Sequence, residues 1–195
     1  NIGSLHLRNR IVKMGAQPGS VPSPDGNVPE ILKDYYEAVA RGGVALVTAG
    51  GGIIEVIPNN ATLNRFRIDD DKYIPSLREL AQVIQKHGCP ALLQLMGRGP
   101  SRKHLDFGIE SKAASTLSQD ELPLPYFAPT RELTVDEIEQ FVDLFASAAE
   151  RIHKAGFQGI ELNSANNHLL NTFLSRVWNK RRDAYGIDSL ESRAK

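Results

Sequence analysis

An α/β fold, with a parallel sheet covered by helices, is what this sequence predicts, and three observations predict it. Apolar runs of strand length alternate with amphipathic stretches of helical period along most of the chain. The runs VALVTA (44–49) and ALLQL (91–95) are continuously apolar, as strands buried on both faces must be. No G-x-G-x-x-G opens a helix after the first strand, and no G-x-x-x-x-G-K-[ST] occurs, so a dinucleotide-type open sheet is disfavoured against a (β/α) barrel.

RIVKM (10–14) is the first strand, a short β-branched run after the polar LRN. NVPEILKDYYEAVARGG (27–43) is the first helix: Pro29 suits an opening turn and Gly42-Gly43 end it. VALVTA is the second strand, followed by the glycine-rich AGGG (49–52). DDDKYIPSLRELAQVIQKHG (69–88) has acidic residues at a helix start, an apolar stripe through Leu77, Leu80, Val83 and Ile84, and Gly88 as stop. ALLQL is the third strand. Residues 97–130 show no period and form an excursion loop with a small hairpin, and a loop of that length tends to be functional. The next helix, 134–156, opens on a capping box, Thr134 with Glu137, and turns Ile138, Phe141, Val142, Phe145 and Ala149 inward. GIEL (159–162) is the fourth strand.

Four such units are the N-terminal half of a (β/α)8 barrel, which takes about 250 residues, whereas this chain has 195. It opens on Asn1 and closes on LESRAK, so the expectation is a fragment: residues 1–195 as the N-terminal part of a single truncated barrel domain.

Composition narrows the function. Lys and Arg total 23, as do Asp and Glu, so there is no electrostatic footprint for nucleic acid or an acidic membrane. No apolar run reaches the roughly 18 residues a membrane span needs, and no leader pattern is present. The lone Cys89 excludes an intrachain disulfide and an all-cysteine metal site, and makes a reducing cytoplasm the default compartment.

After the fourth strand comes NSANNHLL (163–170), with Asn163, Asn166, Asn167 and His168 in six residues. Taken alone, this is a polar loop with a solvent-facing histidine. It is a poor metal site, because asparagine is a weak transition-metal ligand, and no metal is expected. Lys13 is unusual inside a strand; it either snorkels to the rim or pairs with an unidentified carboxylate. The run SRVWNKRRDAYG, with Arg176, Trp178, Lys180, Arg181 and Arg182, has the composition of a solvated cationic face.

Five segments in order, LHLRNRIV, YYEAVARGGVALVTAGGG, HGCPALLQL, PTRELTVDEIEQFVDLFASAAERIHKAGFQGIEL and LLNTFLSRVWNKRRDAYG with SLESRA, resemble the flavin-dependent Old Yellow Enzyme family over nearly the whole chain. The resemblance implies a (β/α)8 (TIM) barrel carrying FMN at its C-terminal face and taking hydride from NAD(P)H. The hydride then passes to the electron-poor C=C bond of a small-molecule substrate. A resemblance to the larger 2,4-dienoyl-CoA and enoate reductase branch further implies a 4Fe-4S cluster and an FAD domain beyond residue 195. A homo-oligomer is left open.

Position by position, the resemblance assigns Gly15, Ala16 and Gln17 to the loop that packs on the flavin ring, with Gln17 where the residue tuning its potential stands. The family's Pro-Met followed by Cys or Thr is absent here. Gly51 matches a small residue against the flavin, and Gln94 the glutamine that hydrogen-bonds its pyrimidine edge. NSANNHLL lies where the family reads much like HGAHGYLL, or carries Asn as the second donor, a form with which Asn166 agrees. Asn163 and Asn166 then take the places of the two donors to the substrate's carbonyl oxygen, and His168 that of the tyrosine proton donor. Two asparagine NH2 groups can still stabilise a developing oxyanion. They lack the charge-assisted bond of a protonated histidine, so activity on weakly activated alkenes should suffer. A histidine, with an ordinary pKa of about 6.5, is a stronger acid than tyrosine. In the family the SRVWNKRRDAYG stretch is a structural loop beside the active site.

The altered triad keeps two alternatives open: amine dehydrogenation or demethylation on the same scaffold, and a non-catalytic barrel relative. A glycosidase needs paired acids at strand ends, and only Glu161 lies near one, read as facing a helix. An aldolase would need a strand lysine, for which Lys13 is the candidate. The flavin phosphate site is expected beyond this chain, so residues 1–195 alone should not hold FMN and should expose apolar strand edges.

Overall fold

The structure is a computed structural model that describes residues 1–19, 21–55, 65–100, 108–166 and 168–195. Asn167 and residues 101–107 of the excursion loop therefore lie outside the described residues. The chain divides into two compact units, residues 1–95 with 143–162 and residues 96–142 with 163–195.

In the first unit, β1 (Val12–Ala16), α1 (Glu30–Arg41), β2 (Leu46–Ile53), α2 (Ile74–Gln85), β3 (Ala91–Met96), the latter part of α3 (Val135–Lys154) and β6 (Gly159–Leu162) follow in chain order. The strands form one sheet in the order β1-β2-β3-β6. β1 pairs parallel with β2, and β3 parallel with β6. A sheet of this kind with its connecting helices is the arrangement of successive units of a (β/α)8 barrel.

The two central strands are apolar because they meet helices. Val47 and Ala49 of β2 and Leu93 and Leu95 of β3 share a core with Leu32, Tyr36 and Ala40 of α1, Leu77, Leu80 and Ile84 of α2, and Ala148 and Ile152 of α3. Truncating one of the buried leucines to alanine costs about 2–5 kcal/mol. On the outer strands, Met14 of β1 and Ile160 and Leu162 of β6 are exposed.

Several boundaries and one face differ from expectation. β1 starts at Val12, not residue 10, because the residues before it fasten the chain: Asn9 accepts from the Ile11 amide at 2.9 Å and donates to the Gly43 carbonyl. It then runs on through Gly15 and Ala16, which had read as turn. β2 runs from Leu46 to Ile53, through the three glycines that were expected to follow it. Extension there needs glycine. A Cβ on Gly50 would sit 2.8 Å from the Ala16 carbonyl carbon, and one on Gly52 2.1 Å from Ile68 Cδ1. On α3 the inward stripe passes through Ile138, Phe141, Phe145, Ala148 and Ile152, and Val142 falls off it into solvent.

The second unit holds β4 (Lys112–Ala113) and β5 (Arg131–Glu132), the first part of α3, and the short helices α4 (Leu169–Leu174) and α5 (Leu190–Arg193). β4 and β5 pair parallel, so no hairpin forms between them; the antiparallel contact is a single bridge, Leu117 to Thr130. Two small apolar clusters hold this unit, Leu117, Phe127 and Trp178 in one, Leu133, Ile138 and Leu169 in the other. The capping box forms as read: the Glu137 amide donates to Thr134 Oγ1 at 3.2 Å, and the Thr134 amide to Glu137 Oε2 at 2.9 Å.

Candidate functional site

In the first unit the C-terminal ends of β1, β2 and β3 bring Gly15, Ala16, Gln17, Gly51 and Gln94 into one neighbourhood. Gln94 is buried, and its Nε2 donates to the Gly15 carbonyl at 3.3 Å. Gln17 Nε2 donates to the Gly50 carbonyl at 2.9 Å, which ties the segment after β1 to the end of β2. Gly51 lies beside that contact with φ at +52°, a left-handed conformation that suits glycine.

Three residues that sequence reasoning had not placed there complete the neighbourhood. Tyr36 of α1 is buried; its hydroxyl donates to the Ala16 carbonyl at 2.9 Å and accepts from the Gly50 amide at 2.7 Å. Burial pushes its phenol pKa up to about 12. Lys13 Nζ donates to the Ala16 carbonyl at 2.7 Å and the Met14 carbonyl at 2.5 Å, over the rings of Tyr35 and Tyr36. Burial lowers its pKa, against an opposing pull from the Glu161 carboxylate. Glu161 is thus the carboxylate that Lys13 senses. It does not face a helix: Gln94 Nε2 donates directly to Glu161 Oε1. The one available signal was the two-residue alternation of GIEL, which sets Glu161 on the face opposite Ile160 and Leu162.

These residues fit the imide edge of a flavin. A side-chain amide carries hydrogen-bonding groups suited to such an edge, and glycines at the ends of β1 and β2 let neighbouring groups approach their backbone closely. Gln94 would meet the ring's pyrimidine edge, with Gly15, Ala16, Gln17 and Gly51 lining it.

In the second unit, Asn163 and Asn166 build a turn and His168 ends it. Asn163 Oδ1 accepts from the Ala165 amide at 3.1 Å, a side-chain turn that asparagine forms readily. Asn166 stands at φ +55°, which an asparagine tolerates better than most residues. His168 is half-buried at the N-cap of α4, where its side chain makes no capping hydrogen bond; its backbone amide donates to the Ala165 carbonyl at 3.2 Å.

The run at 176–182 is not a solvated face throughout. Trp178, Asn179 and Arg181 are buried, while Arg176, Lys180 and Arg182 are exposed. Arg181 Nη1 donates to the Ala114 carbonyl at 3.0 Å and the Leu133 carbonyl at 2.6 Å, and its other nitrogens grip Asp183. This is a structural loop. The guanidinium beside Asp183 holds that carboxyl below its usual range.

The chain is 36% identical over 187 residues to a metal reductase of Desulforamulus reducens, covering 96% of this chain and 27% of that protein. It is 35% identical over 187 residues to an NADH oxidase of Thermoanaerobacter brockii, covering 95% and 28%. Among solved structures it superposes on 2-naphthoyl-CoA reductase with a TM-score of 0.84 at 26% identity, covering 99% of this chain and 30% of that one. The chain thus spans little more than a quarter of the length of these curated relatives. The family model for NADH:flavin oxidoreductases and NADH oxidases matches residues 1–195. The family model covers the whole chain, and the fold agrees with it: the chain belongs to the NADH:flavin oxidoreductase / NADH oxidase family.

Proposed function

We propose that this chain is the N-terminal part of a single FMN-binding barrel domain. The whole protein would take hydride from NAD(P)H and deliver it to an activated C=C bond of a small molecule. The observation that carries this reading is the buried Gln94 amide beside Gly15, with Gln17 bound to Gly50, at the strand ends where such a barrel holds its flavin. FMN supplies the hydride-accepting and hydride-donating centre when bound. Gly15, Ala16, Gln17, Gly51 and Gln94 orient the ring, Asn163 and Asn166 donate to the substrate's acceptor oxygen, and His168 delivers the proton. Hydride addition to a conjugated alkene pushes charge onto that oxygen, so donors aimed there lower the barrier.

Similarity to an NADH oxidase supports NADH as the reductant. A 4Fe-4S cluster and FAD elsewhere in the protein belong to this reading as what the resemblance to the larger reductase branch implies. The lone Cys89 supports a cytoplasmic setting. No helix among the described residues is long and apolar enough to cross a membrane.

An anaerobic visible spectrum of the whole protein, purified without added cofactor, tests the reading. A flavin band that NADH bleaches and an enone restores is the expected result. Bleaching by a secondary or tertiary amine and not by NADH would move the assignment to amine dehydrogenation. A colourless protein that takes up no FMN would leave a non-catalytic barrel.

A further inference from the structure

β1 carries an irregularity at the end assigned to the flavin. Its register passes from Lys13 opposite Val47 to Ala16 opposite Ala49, so three steps along β1 answer two along β2. An extra residue of this kind breaks the ladder, and such bulges are common beside active sites. Side chains close the break. The Tyr36 hydroxyl stands between the Gly50 amide and the Ala16 carbonyl. Lys13 Nζ donates to the Ala16 carbonyl at 2.7 Å and to the Met14 carbonyl at 2.5 Å, so the strand's own ammonium plugs the bulge. The rings of Tyr35 and Tyr36 lie beneath it, with centroids 5.8 and 5.4 Å away. Carbonyls that can only accept, ring faces and the Glu161 carboxylate all favour the charged form of this amine. Burial opposes that charge, a cost that a methionine in the same space would not carry.

We propose that Lys13 is a positioning residue that raises the reduction potential of the bound flavin. Its ammonium fixes the corner formed by Gly15 and Ala16 and keeps a positive charge beside it. Hydride transfer to a flavin adds negative charge to the ring, so a nearby cation stabilises the reduced ring more than the oxidised one. A partly buried charge is also less screened by salt than an exposed one. Lys13 acts through the strand end and through its field, and needs no contact with the cofactor. The Glu161 carboxylate offsets part of this charge and is itself tied to Gln94 Nε2. This deepens the flavin reading of Gly15 and Ala16 and rests on it.

The test is the midpoint potential of the FMN couple in the whole protein, titrated anaerobically against reference dyes. Lys13→Met removes the charge and keeps the bulk, and its potential should fall below that of wild type. Lys13→Arg keeps the charge and should stay nearer wild type than Lys13→Met. Tyr36→Phe disturbs the same strand end without altering its charge and should leave the potential near wild type. A wild-type potential in Lys13→Met overturns the role of Lys13 while the flavin reading stands. A fall in Lys13→Arg or Tyr36→Phe as large as that in Lys13→Met also overturns it, because the geometry of the strand end and not the charge would then set the potential. Should Lys13→Met fail to hold FMN, Lys13→Gln decides: it keeps an N–H donor and loses the charge, so a lowered potential supports the proposal and a wild-type one overturns it. A wild-type protein that takes up no FMN overturns the flavin reading, and this inference with it.

Discussion

The hydroxyl of Tyr36 bridges two strands: it accepts from the Gly50 amide of β2 at 2.7 Å and donates to the Ala16 carbonyl of β1 at 2.9 Å. A helix residue thereby holds together the two strand ends assigned to the flavin. Tyr36→Phe would leave the Gly50 amide without that acceptor in the core and should cost about 1–3 kcal/mol, read as a lower denaturant midpoint. The phenol also predicts an alkaline limb. Its pKa is raised from 10.0 to about 12 in the folded protein, so this contribution is fully present below pH 10 and is lost as pH rises from there to about 12. At about 1.4 kcal/mol per pH unit, wild type should lose roughly 2–3 kcal/mol more than Tyr36→Phe over that window. Equal losses in the two proteins would refute the assignment.

Glu137 predicts the acid limb. Its carboxylate caps α3 with Thr134 and pairs with Arg131 and Lys112, each at 2.7 Å from Oε1. These partners, Arg131 foremost, hold its pKa well below the usual carboxylate range. The stabilisation is present above the unfolded-state value and lost as pH falls toward the folded one. Glu137→Gln keeps a capping side chain and loses the charge, whereas Glu137→Ala loses both and should cost about 0.5–2 kcal/mol more. Urea unfolding at pH 7 and pH 3 checks this: the gap between wild type and Glu137→Gln should narrow in acid.

Arg181 carries the largest expected stability effect in the second unit. Its side chain is 3% exposed and satisfies the Ala114 and Leu133 carbonyls. Arg181→Met fills similar volume but leaves both carbonyls without that donor and Asp183 without its partner. A loss of about 3–5 kcal/mol is expected, against less than about 0.5 kcal/mol for the exposed Arg182→Met, each measured by chemical denaturation.

For the proposed chemistry, the two half-reactions separate the roles. Stopped-flow mixing of His168→Phe should show flavin reduction by NADH unchanged and alkene reduction slowed by about 10²-fold or more, the usual contribution of a general acid. Asn163→His should speed reduction of weakly activated enones relative to strongly activated ones, because a charged donor helps most where the substrate supplies least. Equal slowing of both half-reactions by His168→Phe would show that the histidine supports the fold and delivers no proton.

Much of this was legible in the residues themselves. The helical stripes of α1 and α2, the apolar runs of β2 and β3 and the Thr134–Glu137 capping box depend on neighbours a few positions apart, so spacing alone reveals them. The strand ends were less legible, because Gly50 and Gly52 resemble a turn until it is known which atoms crowd them.

What only the tertiary structure decided are the pairings across long stretches of chain. Gln94 meets Gly15 across 79 residues and Glu161 across 67, and Arg181 reaches Ala114 across 67. No periodicity encodes such partners; parallel register and strand order do, and these are set by the packing of the whole sheet. The sequence by itself determined the alternating elements and the family they belong to. Tertiary structure decided that Glu161 turns to Gln94, that Lys13 lies over Tyr36 and that Arg181 is buried, because each contact exists only once distant segments share one core.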